Sequence, residues 1–208
     1  MTQRVILALN HRFILGVEIN PRRLRGPWDD GYALDVHTRS SAFLHYDQFG
    51  HPRFDTMRSP VGELLYRLKY RGDRAAVDAL AETVQSFLVE TWKPPIEAIV
   101  PVPPSVSRRN QPVLLIASAL SEQLRIPLCA SCIRKAKRTP QLKNIVEYDK
   151  RVEALRGAFA VATGETKGKN LLLFDDLYGS GATVRAITEL LKGTGQARAV
   201  YLLTLTTK

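Results

Sequence analysis

Four apolar residues, Leu171-Leu172-Leu173-Phe174, run straight into Asp175-Asp176, then Leu177-Tyr178, then Gly179-Ser180-Gly181-Ala182-Thr183, and then an amphipathic helical pattern. This order leaves few folds open. A continuous apolar run bounded by turn residues reads as a strand buried on both faces, and such strands belong to parallel sheets covered by helices. The rest of the chain fits that frame. Strands are expected over 96–102, 127–133, 157–161, 170–174 and 199–206, and helices over 112–125 and 182–192. Before them, Ser59 can cap a helix with Pro60 at its first position, and Val61, Leu64, Leu65 and Leu68 make its apolar face. Gly72 ends that helix and Asp73 can cap the next. Val77, Leu80, Ala81, Val84 and Leu88 face inward there, up to Pro94-Pro95.

Residues 1–58 read differently. Tyr32, Leu34 and Val36 alternate with Ala33, Asp35 and His37, the period of a half-buried strand. Arg39-Ser40-Ser41 reads as a turn. Residues 43–46 and 53–56 are expected to pair with the first strand, around Phe49-Gly50-His51-Pro52. The expected organisation is an N-terminal β-rich extension over 1–58 and an α/β domain over 59–208. No apolar run approaches the roughly 18–20 residues of a membrane span, and the apolar stretch near the N-terminus reads as a strand.

Sheets of this kind bind ligands in loops beyond the carboxyl ends of their strands, which directs attention to 175–183. Glycines there allow a tight turn, and successive amides at a helix N-terminus make a nest for a phosphate. Ser180 and Thr183 add hydroxyls. Two adjacent carboxylates would repel a phosphate but suit the vicinal hydroxyls of a ribose, or a Mg²⁺ beside them. Two acids alone would merely end a strand; the whole ordered pattern describes a cradle for a ribose 5-phosphate. There is no G-x-x-x-x-G-K-[ST], and Gly179-Ser180-Gly181 lacks the third glycine of a dinucleotide fingerprint. The net charge of +10 over 208 residues agrees with an anionic partner without choosing among them.

Residues 171–183 resemble the phosphoribosyl pyrophosphate (PRPP) motif of type I phosphoribosyltransferases. The resemblance implies that Asp175 and Asp176 hold the ribose hydroxyls, with Mg²⁺ arriving with PRPP. Gly179, Ser180, Gly181, Ala182 and Thr183 would wrap the 5-phosphate. Gly179 and Ser180 stand where the family often has two threonines. Gly179 also stands where 6-oxopurine enzymes carry an acidic base, so the resemblance does not extend to that reaction.

Five further segments resemble, in order, those of ComF-type proteins, which are phosphoribosyltransferase-like and linked to DNA uptake. They are Leu68-Lys69-Tyr70-Arg71-Gly72-Asp73, Val100-Pro101-Val102-Pro103, Arg108-Arg109-Asn110-Gln111, Thr139-Pro140-Gln141 and Leu155-Arg156-Gly157-Ala158-Phe159. The match spans roughly 59–206. It implies either transfer of 5-phosphoribose to a nitrogen base or amine with release of pyrophosphate, or a non-catalytic PRPP- or nucleotide-binding or single-stranded-DNA-uptake role. ComF-type proteins usually begin with a cysteine-rich zinc module; this N-terminus has no cysteine, so no structural zinc is expected. The Arg-Asn-Gln segment is shorter than usual, so the base-binding part of such enzymes does not transfer.

The loop after the first parallel strand would contact pyrophosphate. Pro103 and Pro104 offer no amide, which leaves Ser105, Val106, Arg108 and Arg109. Residues 134–151 hold seven Lys/Arg, among them Lys135, Lys137, Arg138 and Lys143, against Glu147 and Asp149. Three readings stand side by side for this basic stretch: a loop closing over an anionic substrate, a track for a nucleic-acid backbone, or a solvated loop.

Cys129-Ala130-Ser131-Cys132 is a lone C-x-x-C, short of the roughly four ligands zinc needs. On a strand the two cysteines would face opposite sides, so neither metal nor redox function is expected. With only these two cysteines a reducing cytoplasm is inferred. His11, His37, His45 and His51 read as surface or turn residues. Trp28, Asp29, Asp30 and Tyr32 draw more attention, because any hood over the acceptor is expected to come from 1–58.

Overall fold

The computed structural model describes residues 12–14, 17–104, 111–137, 145 and 147–208. After a short antiparallel pair, β1 (Arg12–Ile14) and β2 (Val17–Ile19), a five-stranded sheet lies at its centre, in the spatial order β3 (Arg22–Arg23), β4 (Asp30–Val36), β11 (Ala199–Thr207), β10 (Asn170–Tyr178), β7 (Ala98–Pro101). β4, β11, β10 and β7 are parallel, and only the short edge strand β3 runs antiparallel. The expected α/β class with helices on both faces is what the chain adopts. Leu128 extends the β7 edge through a parallel bridge to Ile99.

The two faces divide the core by the period-2 alternation of strands. Leu172, Phe174, Leu203, Leu205 and Leu34 pack against α1 (Pro60–Tyr66), α2 (Ala75–Ser86) and α3 (Pro112–Leu124). Leu171, Leu173, Val200 and Leu202 pack against α6 (Ala182–Lys192). Each fully buried leucine contributes about 1.5–3 kcal/mol, so the apolar run at 171–174 anchors both layers.

α1 begins as its sequence specifies: Ser59 Oγ accepts from the Gly62 amide at 3.0 Å and Pro60 opens the first turn. It continues through π-helical turns over Arg67–Arg71 to Gly72, whose φ of 68° ends it. α2 likewise continues through Phe87–Trp92 before Lys93 turns left-handed ahead of the two prolines.

Four expectations need correction. β4 is an interior strand of the main sheet, so a boundary at residue 58 does not separate the N-terminal strands from the α/β layers. β5 (Thr38–Tyr46) and β6 (Pro52–Arg58) pair with each other and not with the first strand. Residues 39–41 lie within β5 and form no turn, because the chain bends at His37 instead. Residues 127–133 are mostly loop: only Leu128 bridges to the sheet, and β8 (Ile133–Lys135) begins where a strand was expected to end, pairing with β9 (Phe159–Val161). Two further helices, α4 (Tyr148–Leu155) and α5 (Thr163–Thr166), flank that small hairpin. Among the described residues no helix is long and apolar enough to cross a membrane.

Candidate ribose-phosphate site

Because β4, β11, β10 and β7 are parallel, their carboxyl ends share one edge. β10 does not stop at Phe174. It runs on through Asp175 and Asp176 to Tyr178, paired with β11 along the way (Asp175↔Thr204, Tyr178↔Thr207). The aspartates are therefore held by a sheet ladder. Period-2 alternation sets them toward opposite faces, Asp175 in line with Leu171 and Leu173, Asp176 in line with Leu172 and Phe174. The exit of β7 lies beside them, with the Val102 amide donating to the Phe174 carbonyl at 2.9 Å.

Asp176 has a cationic partner, Lys69 Nζ, at 2.7 Å from Oδ2. Lys69 falls one position beyond the buried Val61, Leu65 and Leu68 on the stripe of α1 and its π-helical turns, a charged residue on an otherwise apolar face. Thr206 Oγ1 donates to the Asp176 carbonyl at 3.0 Å and lies 3.3 Å from His37 Nδ1. Burial, then the charges of Lys69 and Arg58, pushes the His37 imidazole below its ordinary value against the pull of Asp176. An imidazole less ready than usual to take a proton thus stands at the carboxyl edge.

Asp175 is different. Its Oδ1 accepts from the Asp176 amide at 2.8 Å. Burial first, and the Asp176 charge second, raise its carboxyl well above the usual carboxylate range, with Lys69 only partly opposing. Among the described residues, the two crowded carboxyls face one ammonium, a local shortage of positive charge. That shortage fits a ligand bringing vicinal hydroxyls, a divalent cation, or both. Replacing Lys69 by methionine is expected to raise the pH at which Asp175 loses its proton, as followed by carboxyl NMR titration; no change would mean that Lys69 does not set the charge of the pair.

Beyond Tyr178 the chain turns through exposed Gly179 and half-buried Ser180 to Gly181, whose φ is 77° and which caps α6 with no side-chain hydrogen bond. Ala182 is buried and Thr183 half-buried in the first turn. A Cβ on Gly181 would meet the Tyr178 hydroxyl. Tyr178 packs edge-on against Trp28 at 6.1 Å, and burial raises its phenol above the usual value. Gly181→Ala is therefore expected to cost about 1–2 kcal/mol from the left-handed backbone and to displace Tyr178. Thermal unfolding checks it; an unshifted midpoint would remove the special role given to this glycine.

Of the other residues that the sequence singles out, Ser105, Val106, Arg108, Arg109, Arg138 and Lys143 lie outside the described residues. Lys135 and Lys137 are exposed on and just after β8. Asp29, Asp30 and Tyr32 have structural partners near the start of β4, away from the carboxyl edge, whereas Trp28 reaches Tyr178 at that edge. Asp29 Oδ2 pairs with Lys192 at 2.8 Å, and Asp30 Oδ2 accepts from the Trp92 indole at 2.9 Å. Sequence reasoning missed His37 and Thr206 as neighbours of the site, and gave Lys69 and Tyr178 no role within the segments that contain them. Only Lys69 carried a usable signal, its place on an apolar stripe.

The cysteines also depart from expectation. The turn at Ala130-Ser131 brings Cys129 and Cys132 together with a Cα–Cα distance of 5.4 Å, joined as a disulfide, where a strand would have set them on opposite sides.

A mostly parallel α/β sheet with an acidic pair and a glycine turn at its carboxyl edge is the class of arrangement expected of a phosphoribosyltransferase-like protein. No protein-family model matches the chain. Over 157 residues the chain is 27% identical to competence protein ComFC of Bacillus subtilis, a match covering 72% of this chain and 61% of that protein. The ComF-like resemblance read from the ordered segments is thus shared with a known bacterial protein, of whose length the match spans about three fifths. Among solved structures, adenine phosphoribosyltransferase from Saccharomyces cerevisiae is similar at 15% identity and a TM-score of 0.49, covering 80% of this chain and 85% of that one. A hypoxanthine phosphoribosyltransferase from Staphylococcus aureus is similar at 14% identity and a TM-score of 0.40, covering 64% and 63%.

Proposed function

We propose that the chain binds PRPP at the carboxyl edge of its sheet and transfers 5-phosphoribose to a nitrogen acceptor. The observation that carries this reading is the passage from β10 through Asp175-Asp176 and left-handed Gly181 into the uncapped start of α6. The first-turn amides of α6 and the hydroxyls of Ser180 and Thr183 would receive the 5-phosphate, where backbone dipoles favour negative charge. Asp175 and Asp176 would accept from the ribose hydroxyls and hold the ring in one orientation. Mg²⁺ carried with PRPP would supply charge neutralisation for the departing pyrophosphate, helped by Ser105, Val106, Arg108 and Arg109. Rate would then come from positioning and electrostatic stabilisation more than from a proton-transfer group. The acceptor is left open, because Gly179 offers no acidic base.

A second reading is a non-catalytic PRPP- or nucleotide-binding protein, or a single-stranded-DNA-uptake factor. It is favoured by the competence protein among the relatives and by the β5–β6 hairpin. Phe43, Tyr46 and Phe54 are each more than half exposed there, cluster at 5.1 and 5.9 Å between ring centroids, and sit beside Arg53. Exposed aromatics next to cations suit base stacking along a charged backbone.

Calorimetry separates the two. Transfer requires saturable Mg²⁺–PRPP binding and pyrophosphate release with some base or amine. Binding to single-stranded DNA alone, falling steeply between two salt concentrations, supports the second reading and removes the first.

A further inference from the structure

The cysteine pair has a neighbour that its sequence spacing does not reveal. Glu165, more than thirty residues on, places Oε2 2.8 Å from Cys129 Sγ and 3.9 Å from Cys132 Sγ. The three ligand atoms all lie within 4.8 Å of one another. Cys132 is fully buried and Cys129 is 6% exposed, while Glu165 reaches solvent. A disulfide sulfur has no proton to give, so a carboxylate against it gains no hydrogen bond. The same carboxylate against a thiol accepts one. The site thus holds a bonded pair and, in the same place, a group that favours the unbonded one.

We propose that Cys129 and Cys132 are a reversible dithiol–disulfide pair, with Glu165 as the proton acceptor for Cys129. The oxidant class is a small-molecule disulfide. Cys129 gives its proton to Glu165 and its thiolate attacks the small disulfide. One small thiolate leaves, taking that proton, and a mixed disulfide remains on Cys129. Cys132 then attacks Cys129 Sγ, the second small thiolate leaves with the Cys132 proton, and the internal bond closes. Two protein thiols are oxidised and one small disulfide is reduced to two thiols. Cys129 is the entry because it alone of the pair has exposed surface, and Cys132 resolves.

The bond ties two parts of the fold together. The Cys129 amide donates to Ile99 on β7 at 2.8 Å, while the Cys132 carbonyl accepts from Ala162 at 2.9 Å and Cys132 leads directly into β8. Oxidation therefore fastens the foot of the β8–β9 hairpin, from which the basic stretch bearing Lys135 and Lys137 departs, to the edge of the central sheet.

The chain contains only these two cysteines, so the test is direct. The reduced full-length chain is mixed with excess glutathione disulfide and followed by thiol counting and intact mass. Loss of both thiols and of two hydrogens, with no adduct, is expected. Cys132→Ser should trap one glutathione on Cys129, and Cys129→Ser should react at least about tenfold more slowly, since its remaining thiol is buried. Glu165→Gln should shift the equilibrium against the glutathione couple about tenfold toward the disulfide, about 30 mV for two electrons. Thiols that persist under excess oxidant, trapping on Cys132 instead of Cys129, or an unshifted equilibrium in Glu165→Gln would overturn the proposal. So would stoichiometric Zn²⁺ uptake by the reduced pair that blocks oxidation, which would make the cluster a metal site. Should Glu165→Gln fail to fold, the two serine variants still decide.

Discussion

Replacing Asp175 and Asp176 together by asparagine is expected to lower affinity for Mg²⁺–PRPP by at least about 100-fold. A hydrogen bond to a charged group is worth roughly 1.5–3 kcal/mol, and the double change removes the Asp176 charge and the Asp175 acid while keeping side-chain size. The single variant Asp175→Asn, which keeps the Lys69–Asp176 ion pair, should unfold at a higher temperature than the parent at neutral pH. The reason is the direction of the Asp175 shift. Its folded-state carboxyl titrates above the unfolded value because of burial and Asp176, so the folded state binds its proton more tightly. The stability that this linkage contributes is complete below the unfolded pKa and is lost as pH rises through the folded one. Asparagine does not titrate, so the gain over wild type should be small at acid pH and grow toward neutral and mildly alkaline pH. Thermal unfolding across pH, beside calorimetry, reads both effects. A double mutant with unchanged affinity refutes the site, and an Asp175→Asn variant that is less stable than the parent at neutral pH refutes the raised titration of Asp175.

The second large effect concerns Gly62. It lies in the first turn of α1, where an added Cβ would run into the backbone carbonyl of His37. That contact is what lets α1 approach the end of β4 closely. Ser59 Oγ donates to the Val36 carbonyl and accepts from the Gly62 amide at the same junction. Backbone cannot move aside as a flexible side chain can, so Gly62→Ala should cost about 2–3 kcal/mol, the upper range for overpacking. For a chain of this size that lowers the unfolding midpoint by roughly 5–10 °C. The same displacement separates His37 from Thr206 and Lys69 from Asp176, so binding at the carboxyl edge should weaken as well. A midpoint within about 1 °C of wild type would show that the junction is looser than described.

The helices and central strands were legible because their signals are local. Ser59-Pro60, Gly72, Pro94-Pro95 and the apolar run at Leu171 each specify a start, a stop or a buried strand from neighbouring residues alone. Long-range pairing was not legible. Nothing in the alternation of Tyr32, Leu34 and Val36 says that this strand inserts beside β11, at the far end of the chain. The continuation of β10 past Phe174 is also a pairing effect, since the β11 ladder extends two aspartates that local propensity would assign to a loop. The acidic pair and the glycine turn were readable as a contiguous pattern. Lys69, His37 and Thr206 reach the same edge from three other parts of the chain, so only the assembled sheet brings them together. The cysteines were misjudged for a related reason: a turn at Ala130-Ser131, and not a strand, puts both sulfurs on one side, next to a glutamate distant in sequence.

On the proposed function, residues 175–183 hold the sugar-phosphate end of PRPP. A crystal of the chain soaked with Mg²⁺–PRPP tests it most directly. The expected result is the 5-phosphate against the amides of residues 179–183 at the start of α6, with the ribose hydroxyls at Asp175 and Asp176. Density for the ligand elsewhere, with that loop left empty, would contradict it.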